Sequence, residues 1–349
     1  MSIYSCQKPK GSFFPILCSS PHNLHVKSLK VLALALATCI VPAAFGQALT
    51  WGTPQFSYGA SRPGGVAGRP SVGGFFYAAQ NAVYGAISQG STTQYLLTVK
   101  NGGGANAIFS NLSNVYYGGI IVASNTTPAM TVMNGRLYMA YTIPNGTNYI
   151  ISSLDGINWT GPSIDTANGL PAGTQYNPSL TSDPSTNTIY AAYANGTTHT
   201  PIVCKWVVGT NPTCNQYYSL RSENFNPGIA FWQGLVYLGY ADRGSNHCLY
   251  FYKYTPSTAA MTNWMPIGCS EQTSAGPSLA VRNNWLYVGF RSNDSSAKFT
   301  VRVSTDGVGL AYRQQPGFSM DGYPQLVTVG TTMLNIFARS GYISTSVGQ

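Results

Sequence analysis

Charged residues are scarce in this chain, and their scarcity excludes one large class of function. Asp, Glu, Lys and Arg together make up 8% of the 349 residues. Four of the 18 basic residues (Lys8, Lys10, Lys27 and Lys30) lie within the first 46 positions, so 14 basic residues face 9 acidic ones in the remainder. No run of Lys or Arg provides the positive patch that binding to nucleic acid requires. We therefore expect no nucleic-acid partner.

Long apolar runs are also rare, and the one that stands out has the form of an export signal. It begins at Val31, follows two lysines, and ends in Ala44-Phe45-Gly46, which places small residues at −3 and −1 of a cleavage site before Gln47. We predict a leader over 1–46 and a single mature domain over 47–349 without a membrane span, secreted or periplasmic. A lipid anchor at Cys39 is not expected, because threonine precedes that cysteine and an apolar run follows it.

Cysteine and histidine offer little from which to build a metal or catalytic centre. The chain has no Cys-x-x-Cys spacing, and His199 and His247 have no neighbouring carboxylate from which a Ser-His-Asp site could form. We expect neither a metal ion nor a cofactor. The mature part keeps an even number of cysteines, and each pair flanks the turn of a hairpin, which predicts two disulfides in an oxidising compartment. The predicted pairs are Cys204–Cys214 and Cys248–Cys269.

What the sequence does contain is one pattern repeated six times. In its best copy Pro277 is followed by a short alternating strand, the polar turn Asn283-Asn284, and a second strand built on Leu286-Tyr287. We call this unit the Pro-led repeat. A period of roughly 50 residues is typical of a propeller or a solenoid. The six prolines are Pro70, Pro128, Pro178, Pro227, Pro277 and Pro324.

Each repeat offers up to four strands, whereas the last one offers only three before the chain stops. A surplus strand within residues 49–58 belongs to no repeat. A closed ring in which the N-terminal strand completes the last blade accounts for both facts and leaves no open sheet edge. We therefore predict an all-β, six-bladed β-propeller with four-stranded antiparallel blades. A seventh blade would require a repeat hidden within residues 85–125.

Two turns carry a family resemblance. The segment Ser153-Leu154-Asp155-Gly156-Ile157-Asn158-Trp159 resembles the Asp-box of the sialidase superfamily, although it is one residue shorter. The segment Ser304-Thr305-Asp306-Gly307 is a partial second copy that lacks the tryptophan. In that family the box holds a hairpin turn on the face away from the active site, so the resemblance implies a propeller fold rather than an activity.

The residues that perform the chemistry in sialidases are only partly matched. The family has an Arg triad that binds a carboxylate, a Tyr–Glu nucleophile pair and an Asp acid/base. Arg69 resembles the first arginine but stands one residue closer to its proline. Residues 71–123 contain no Asp or Glu, although the family places its acid there. Glycoside hydrolysis requires such a carboxylic acid, so this departure weakens the case for an enzyme.

The remaining candidates lie in loops at the end of the repeats where the prolines stand. Arginine there binds a carboxylate or a polyhydroxyl ligand, or it merely caps a blade. The residue preceding the proline differs between repeats, which favours one asymmetric central site. We expect non-catalytic binding of a glycan or another small anionic or polyhydroxyl ligand; the alternatives are an exo-acting sialidase, with Tyr323 and Glu223 as nucleophile pair, and a scaffold. The predicted ligand-binding residues are Arg69, Glu223, Arg243, Arg291, Tyr323 and Arg339.

Aromatic residues recur three positions apart in the second strand of the repeats, which places the two on opposite faces of a sheet. We predict that they pack in the core between blades rather than bind ligand. The pairs are Tyr138 and Tyr141, Tyr190 and Tyr193, Tyr237 and Tyr240, and Tyr287 and Phe290.

Overall fold

A computed structural model of this chain describes most of the sequence from residue 49 onward. The described residues are 49–51, 53–56, 72–77, 82–89, 94–101, 111–114, 116–117, 120–121, 128–142, 148–161, 163–164, 175–195, 197–220, 227–242, 247–265, 269, 271–273, 275–329, 332–339 and 342–349.

Regular structure in these residues is β-strand, with one 3-10 turn at Pro184–Thr186, and the predicted all-β class is confirmed. No helix in this part of the chain is long and apolar enough to span a bilayer. In chain order the strands are β1 (Gln55–Phe56), β2 (Val72–Tyr77), β3 (Ala82–Gln89), β4 (Gln94–Asn101), β5 (Asn111–Asn114), β6 (Tyr116–Tyr117), β7 (Ile120–Ile121), β8 (Ala129–Met133), β9 (Arg136–Thr142), β10 (Asn148–Ser153), β11 (Asn158–Trp159), β12 (Ser163–Ile164), β13 (Gln175–Asp183), β14 (Thr188–Asn195), β15 (Pro201–Val207), β16 (Thr213–Gln216), β17 (Gly228–Trp232), β18 (Leu235–Ala241), β19 (Leu249–Thr255), β20 (Ala260–Met265), β21 (Ser278–Arg282), β22 (Trp285–Arg291), β23 (Phe299–Ser304), β24 (Tyr312–Gln314), β25 (Gln325–Val329), β26 (Thr332–Arg339) and β27 (Tyr342–Gly348).

The strands form four-stranded antiparallel sheets that follow the repeats. We number the sheets along the chain as sheet 1 (β2 to β5), sheet 2 (β8, β9, β10 and β12), sheet 3 (β13 to β16), sheet 4 (β17 to β20), sheet 5 (β21 to β24) and sheet 6 (β25, β26, β27 and β1). A small additional sheet joins β7 to β6 and β6 to β11.

The predicted β-propeller with four-stranded antiparallel blades is confirmed, but its blade count needs correction. The side chains that pack between neighbouring sheets are described for sheets 2 to 6. The structure therefore shows five blades rather than the predicted six. Sheet 1 is described by its strand pairing only. Its first strand, β2, lies beside both β8 and β25.

The first strand of each blade lies next to the first strand of the following one. This holds for β8 with β13, β13 with β17, β17 with β21, and β21 with β25. These are the strands that the repeated prolines introduce. Proline is tolerated there because the start of a strand at the inner edge of its sheet has no partner that needs an amide donor. The Pro-led repeats therefore place their first strands around a common axis.

The N-terminal strand completes the last blade, as predicted. Gln55 pairs with Thr345 and Phe56 with Ser344, so β1 becomes the fourth strand of sheet 6. Further back, the backbones of Thr50 and Gln349 exchange two hydrogen bonds of 3.1 Å. The strand thereby covers the edge of β27 that would otherwise expose unpaired backbone groups.

Two-residue turns join the first and second strands in three of the blades. Both residues of each turn have positive φ, as a type I′ hairpin requires, and Asn and Gly are the residues that tolerate this conformation best. The turns are Asn134-Gly135 (50° and 73°), Gln233-Gly234 (51° and 78°) and Asn283-Asn284 (49° and 58°).

The second-strand aromatics form the core between blades, which confirms the prediction made for them. All eight are at most 3% exposed. Desolvation in this core raises the pKa of Tyr190 to about 12, so its hydroxyl stays protonated. Between the inner strands the packing is closer still: a Cβ added to Gly228 would meet Leu279 Cδ1 at 2.5 Å.

Both predicted disulfides are present. Cys204 and Cys214 stand opposite each other on β15 and β16, with their Cα atoms 4.0 Å apart. Cys248 and Cys269 have Cα atoms 4.8 Å apart, and they lie directly before β19 and after β20 of sheet 4. Each bond therefore joins segments of a single repeat.

Candidate functional site

A cavity of about 360 Å³ lies between the first strands of the blades. Its described wall is formed by β8, β13, β17, β21 and β25 and by the five prolines that introduce them, with Tyr323 at the proline end. No charged side chain belongs to this described wall. The described part of the wall therefore offers apolar contacts, hydroxyl groups and an amide rather than ionic groups.

Four hydroxyls on this wall already join neighbouring blades. Each is hydrogen-bonded to the backbone of the adjacent first strand, and such a bond contributes about 1 kcal/mol. The wall is thus held together by the polar groups it displays. The bonds are Ser182 Oγ to the Val132 carbonyl (2.8 Å), the Phe231 amide to Thr181 Oγ1 (2.9 Å), the Leu326 amide to Ser278 Oγ (2.9 Å), and Thr328 Oγ1 to the Val281 carbonyl (2.7 Å).

Tyr323 and Arg291 are the two predicted site residues that the structure connects. Tyr323 directly precedes Pro324 and is 7% exposed. Arg291 ends β22, and its Nε donates a hydrogen bond of 2.7 Å to the main-chain carbonyl of Met320. Because Met320 is three residues before Tyr323, Arg291 fixes the segment that brings the tyrosine to the cavity. This contact gives Arg291 a structural role of the kind that the sequence left open as an alternative.

Three of the predicted residues, Arg69, Glu223 and Arg243, lie outside the described residues. Their place at the proline end of the central cavity stays a prediction.

Arg339 lies in a different place from the one expected. It ends β26 and lines a second cavity of about 620 Å³, between the N-terminal segment of sheet 6 and the residues that follow β24 of sheet 5. It does not belong to the described wall of the central cavity. Arg339 therefore lines a cleft between two neighbouring blades, separate from the described wall of the central cavity.

Sequence reasoning missed the other residues of this second cavity. Trp51 and Thr50 come from the N-terminal segment, and Gln315 and Phe318 come from the segment after β24. One signal was available: Trp51 belongs to the surplus strand that lies outside the repeats. Its position beside sheet 5 depends on closure of the last blade, which brings together residues more than 260 positions apart in sequence, as in the hydrogen bond from Gln314 Nε2 to the Leu49 carbonyl (2.9 Å).

The turn after β10 is held by its own aspartate. Asp155 Oδ1 accepts hydrogen bonds from the amides of Ile157 and Asn158, both at 2.8 Å. These bonds hold the pKa of the Asp155 carboxyl well below its ordinary value, the amide of Asn158 being the largest cause. Trp159 is buried and its indole N–H donates to the Gly156 carbonyl at 3.2 Å. This turn lies at the end of the sheet opposite to Pro128.

The turn after β23 has the same aspartate geometry but takes its tryptophan from the preceding blade. Asp306 Oδ1 accepts from the Val308 amide at 2.8 Å, and this bond is the main cause that lowers the pKa of the Asp306 carboxyl. No tryptophan follows in sequence. Instead the indole of Trp264, on β20 of sheet 4, donates to the Gly307 carbonyl at 2.7 Å. The Asp306 turn therefore takes part in packing between blades, and neither turn belongs to the described wall of the cavity.

Comparison with known proteins supports the fold. No family model matches this chain, and no curated protein matches it significantly. Among solved structures the chain is similar to a Hadza microbial sialidase, with a TM-score of 0.59 and 13% identity over 80% of this chain and 65% of that one. The chain thus spans less than two thirds of the length of that sialidase.

The chain is also similar to a fungal lectin from Aleuria aurantia. A structure of that lectin in complex with alpha-methyl-L-fucoside gives a TM-score of 0.57 at 10% identity, over 80% of this chain and 90% of the lectin. Another, described as a six-bladed β-propeller with a novel fucose recognition mode, gives 0.54 at 9% identity over 80% and 91%. Identities this low show the β-propeller fold and nothing finer.

Proposed function

We propose that this protein is a non-catalytic carbohydrate-binding β-propeller whose site lies at the proline end of the central cavity. The observation that carries the proposal is the uncharged described wall, in which five prolines and Tyr323 offer apolar surface to a sugar ring. Hydrolysis of a glycoside requires a pair of carboxyl groups, and the described wall contributes none. Binding is therefore the better-supported function.

Within this proposal the predicted residues have different roles. Tyr323 lines the cavity at its proline end, and Arg291 holds the segment before Tyr323 through its bond to Met320. Arg69, Glu223 and Arg243 would supply the polar rim that orients sugar hydroxyls. Arg339 is left out of this site because it lines the second cavity.

We further propose that the chain is a sialidase-like propeller of six blades. Sheet 1 would be the sixth blade, because β2 lies beside both β8 and β25 and so fills the interval between sheets 6 and 2. The aspartate-held turns at Asp155 and Asp306 support kinship with the Asp-box, as does the similarity to the microbial sialidase in fold.

Export completes the proposal. Two disulfides fit an oxidising compartment outside the cytoplasm. The predicted cleavage site before Gln47 lies outside the described residues, and the compact unit Ala48–Gln349 fits a single domain that follows the leader.

A glycan array combined with a fluorogenic sialoside assay tests the function. We expect binding without turnover, weakened about threefold to tenfold by Tyr323→Phe through the loss of one hydrogen bond. Tyr312→Phe, on the outer strand β24, is the matched control and should leave binding unchanged. Sialoside turnover that Tyr323→Phe abolishes would overturn the binding-only function.

One observation favours the enzyme as the second candidate: a tyrosine lines the central cavity directly before a repeat proline. An exo-acting sialidase would use Tyr323 with Glu223 as nucleophile pair, and a second carboxyl group about 5–10 Å away as acid. Absence of both binding and turnover would instead support an extracellular scaffold.

A further inference from the structure

The second cavity has the composition of a ligand site, and it is independent of the central one. It has a volume of about 620 Å³ and lies between sheets 5 and 6. That volume lies within the range of small-molecule sites, roughly 300–1,000 Å³. Its wall contains aromatic, amide, hydroxyl and guanidinium groups, so it combines apolar surface with a few polar groups.

The walls of this cavity are fixed on both sides. On one side the Trp51 ring packs edge-to-face on Phe299, with ring centroids 5.0 Å apart. On the other side Phe318 stacks on Phe299 and on Phe337, at 5.6 Å and 5.2 Å. The bond from Gln314 Nε2 to the Leu49 carbonyl ties the two sides together. The aromatic surface is therefore pre-organised, which lowers the entropic cost of binding.

Arg339 is the only charged residue that lines the described part of this cavity. Among the residues that the structure describes, none forms a hydrogen bond or ion pair with its guanidinium group. The planar donors of a guanidinium match a carboxylate better than they match a single hydroxyl. No carboxylate lines the described wall, so nothing there repels an anionic ligand.

We propose that this cleft binds a sugar that bears a carboxylate, of the hexuronate class. The guanidinium of Arg339 takes the carboxylate. The aromatic side chain of Trp51 contacts the apolar face of the ring, and Gln315 and Thr50 reach its hydroxyls. The site lies outside the central cavity and would give the protein a second point of attachment to an acidic polysaccharide.

Titration of the full-length protein with glucuronate, followed by ligand-detected NMR, tests this site. Glucose serves as the neutral probe and acetate as the probe without a ring. We expect glucuronate to bind at least tenfold more tightly than either. Arg339→Gln should weaken glucuronate binding at least tenfold and leave glucose unchanged, because only the carboxylate contact is lost. Trp51→Phe should weaken both sugars through the smaller ring.

The same substitution at an arginine in another blade is the matched control. Arg136→Gln, where the side chain bonds to Ser152 Oγ in sheet 2, should leave glucuronate binding unchanged. Tyr323→Phe should also leave it unchanged, which separates this site from the central one. Equal affinity for glucuronate and acetate, or undiminished binding in folded Arg339→Gln, would overturn the proposal.

Discussion

The guanidinium Nε of Arg291 lies 2.7 Å from the main-chain oxygen of Met320, and the bond joins the end of one blade's second strand to the segment that opens the next blade. Both residues are substantially covered, Met320 being 1% exposed. The contact therefore holds neighbouring blades in register at the proline end of the ring.

Replacement of this arginine should lower stability before it affects ligand binding. We expect Arg291→Gln to reduce the free energy of unfolding by about 1–2 kcal/mol, the value of a charge-assisted hydrogen bond to a partly buried carbonyl. Urea unfolding followed by tryptophan fluorescence measures it. Arg339→Gln is the control and should cost little. A stability equal to wild type in Arg291→Gln would show that the Met320 contact contributes nothing.

The two disulfides should contribute unequally. The closed segments span 10 residues for Cys204–Cys214 and 21 for Cys248–Cys269. From the loss of unfolded-chain entropy we expect about 2.7 and about 3.3 kcal/mol, respectively. Thermal unfolding of the two double Cys→Ser variants, each compared with wild type, checks the order. A larger loss for the shorter segment would mean that packing in the folded state outweighs chain entropy.

Acid should weaken the turn at Asp155. Its carboxyl has a lowered pKa in the folded protein, whereas an unfolded aspartate titrates near pH 3.9. The charge therefore adds stability above that pH, and the contribution is lost as the pH falls toward the folded pKa. Asp155→Asn keeps an acceptor oxygen but no charge. We expect the free energy of unfolding of Asp155→Asn to lie below that of wild type by less than about 1 kcal/mol, because the group is so exposed. This difference should shrink between pH 5 and pH 2.

Urea midpoints of both proteins across this pH range provide the measurement. Asp306→Asn should behave in the same way, since its turn has the same geometry. A deficit that grows on acidification would contradict the assigned direction of the pKa shift.

Two tyrosine hydroxyls, one buried and one near the surface, should respond differently to removal. Tyr193 is fully buried, and its hydroxyl has no hydrogen-bond partner in the described structure. Tyr217 donates to the Ala259 carbonyl at 2.8 Å. We expect Tyr193→Phe to be neutral or stabilising, and Tyr217→Phe to cost about 0.5–1.5 kcal/mol. Denaturant unfolding of the two variants side by side measures the contrast, and a costly Tyr193→Phe would reveal a bond to that hydroxyl.

Within a repeat, short-range pattern was enough to predict structure. In sheet 5 the strand expected after Pro277 and the one built on Leu286-Tyr287 are found as β21 and β22, on either side of the predicted turn Asn283-Asn284. Alternation, Asn-rich turns and the introducing proline are local signals, and the strands they specify are local too. The cysteine pairs were predictable for the same reason, because each closes one hairpin.

The functional cavities depend on contacts that no local pattern encodes. Arg339 and Arg291 both end the second strand of their repeats, yet one lines the outer cleft while the other supports the segment before Tyr323. Which way an arginine at that position turns depends on the neighbouring blade. The missing tryptophan of the Asp306 turn is a further example, since it arrives from sheet 4.

Because the backbones of Thr50 and Gln349 are paired, the chain can be joined there and opened at another turn without changing which sheets are neighbours. A gene that joined these two ends through a short linker and opened at Asn283-Asn284 would encode the same ring of sheets with its seam moved to sheet 5. Because those two residues form an exposed turn, the interblade hydrogen bond that the described structure shows at this cut is the one from the Trp232 indole to the side-chain oxygen of Asn284. Circular permutation thus becomes a practical way to choose where a reporter or a second binding module leaves the propeller.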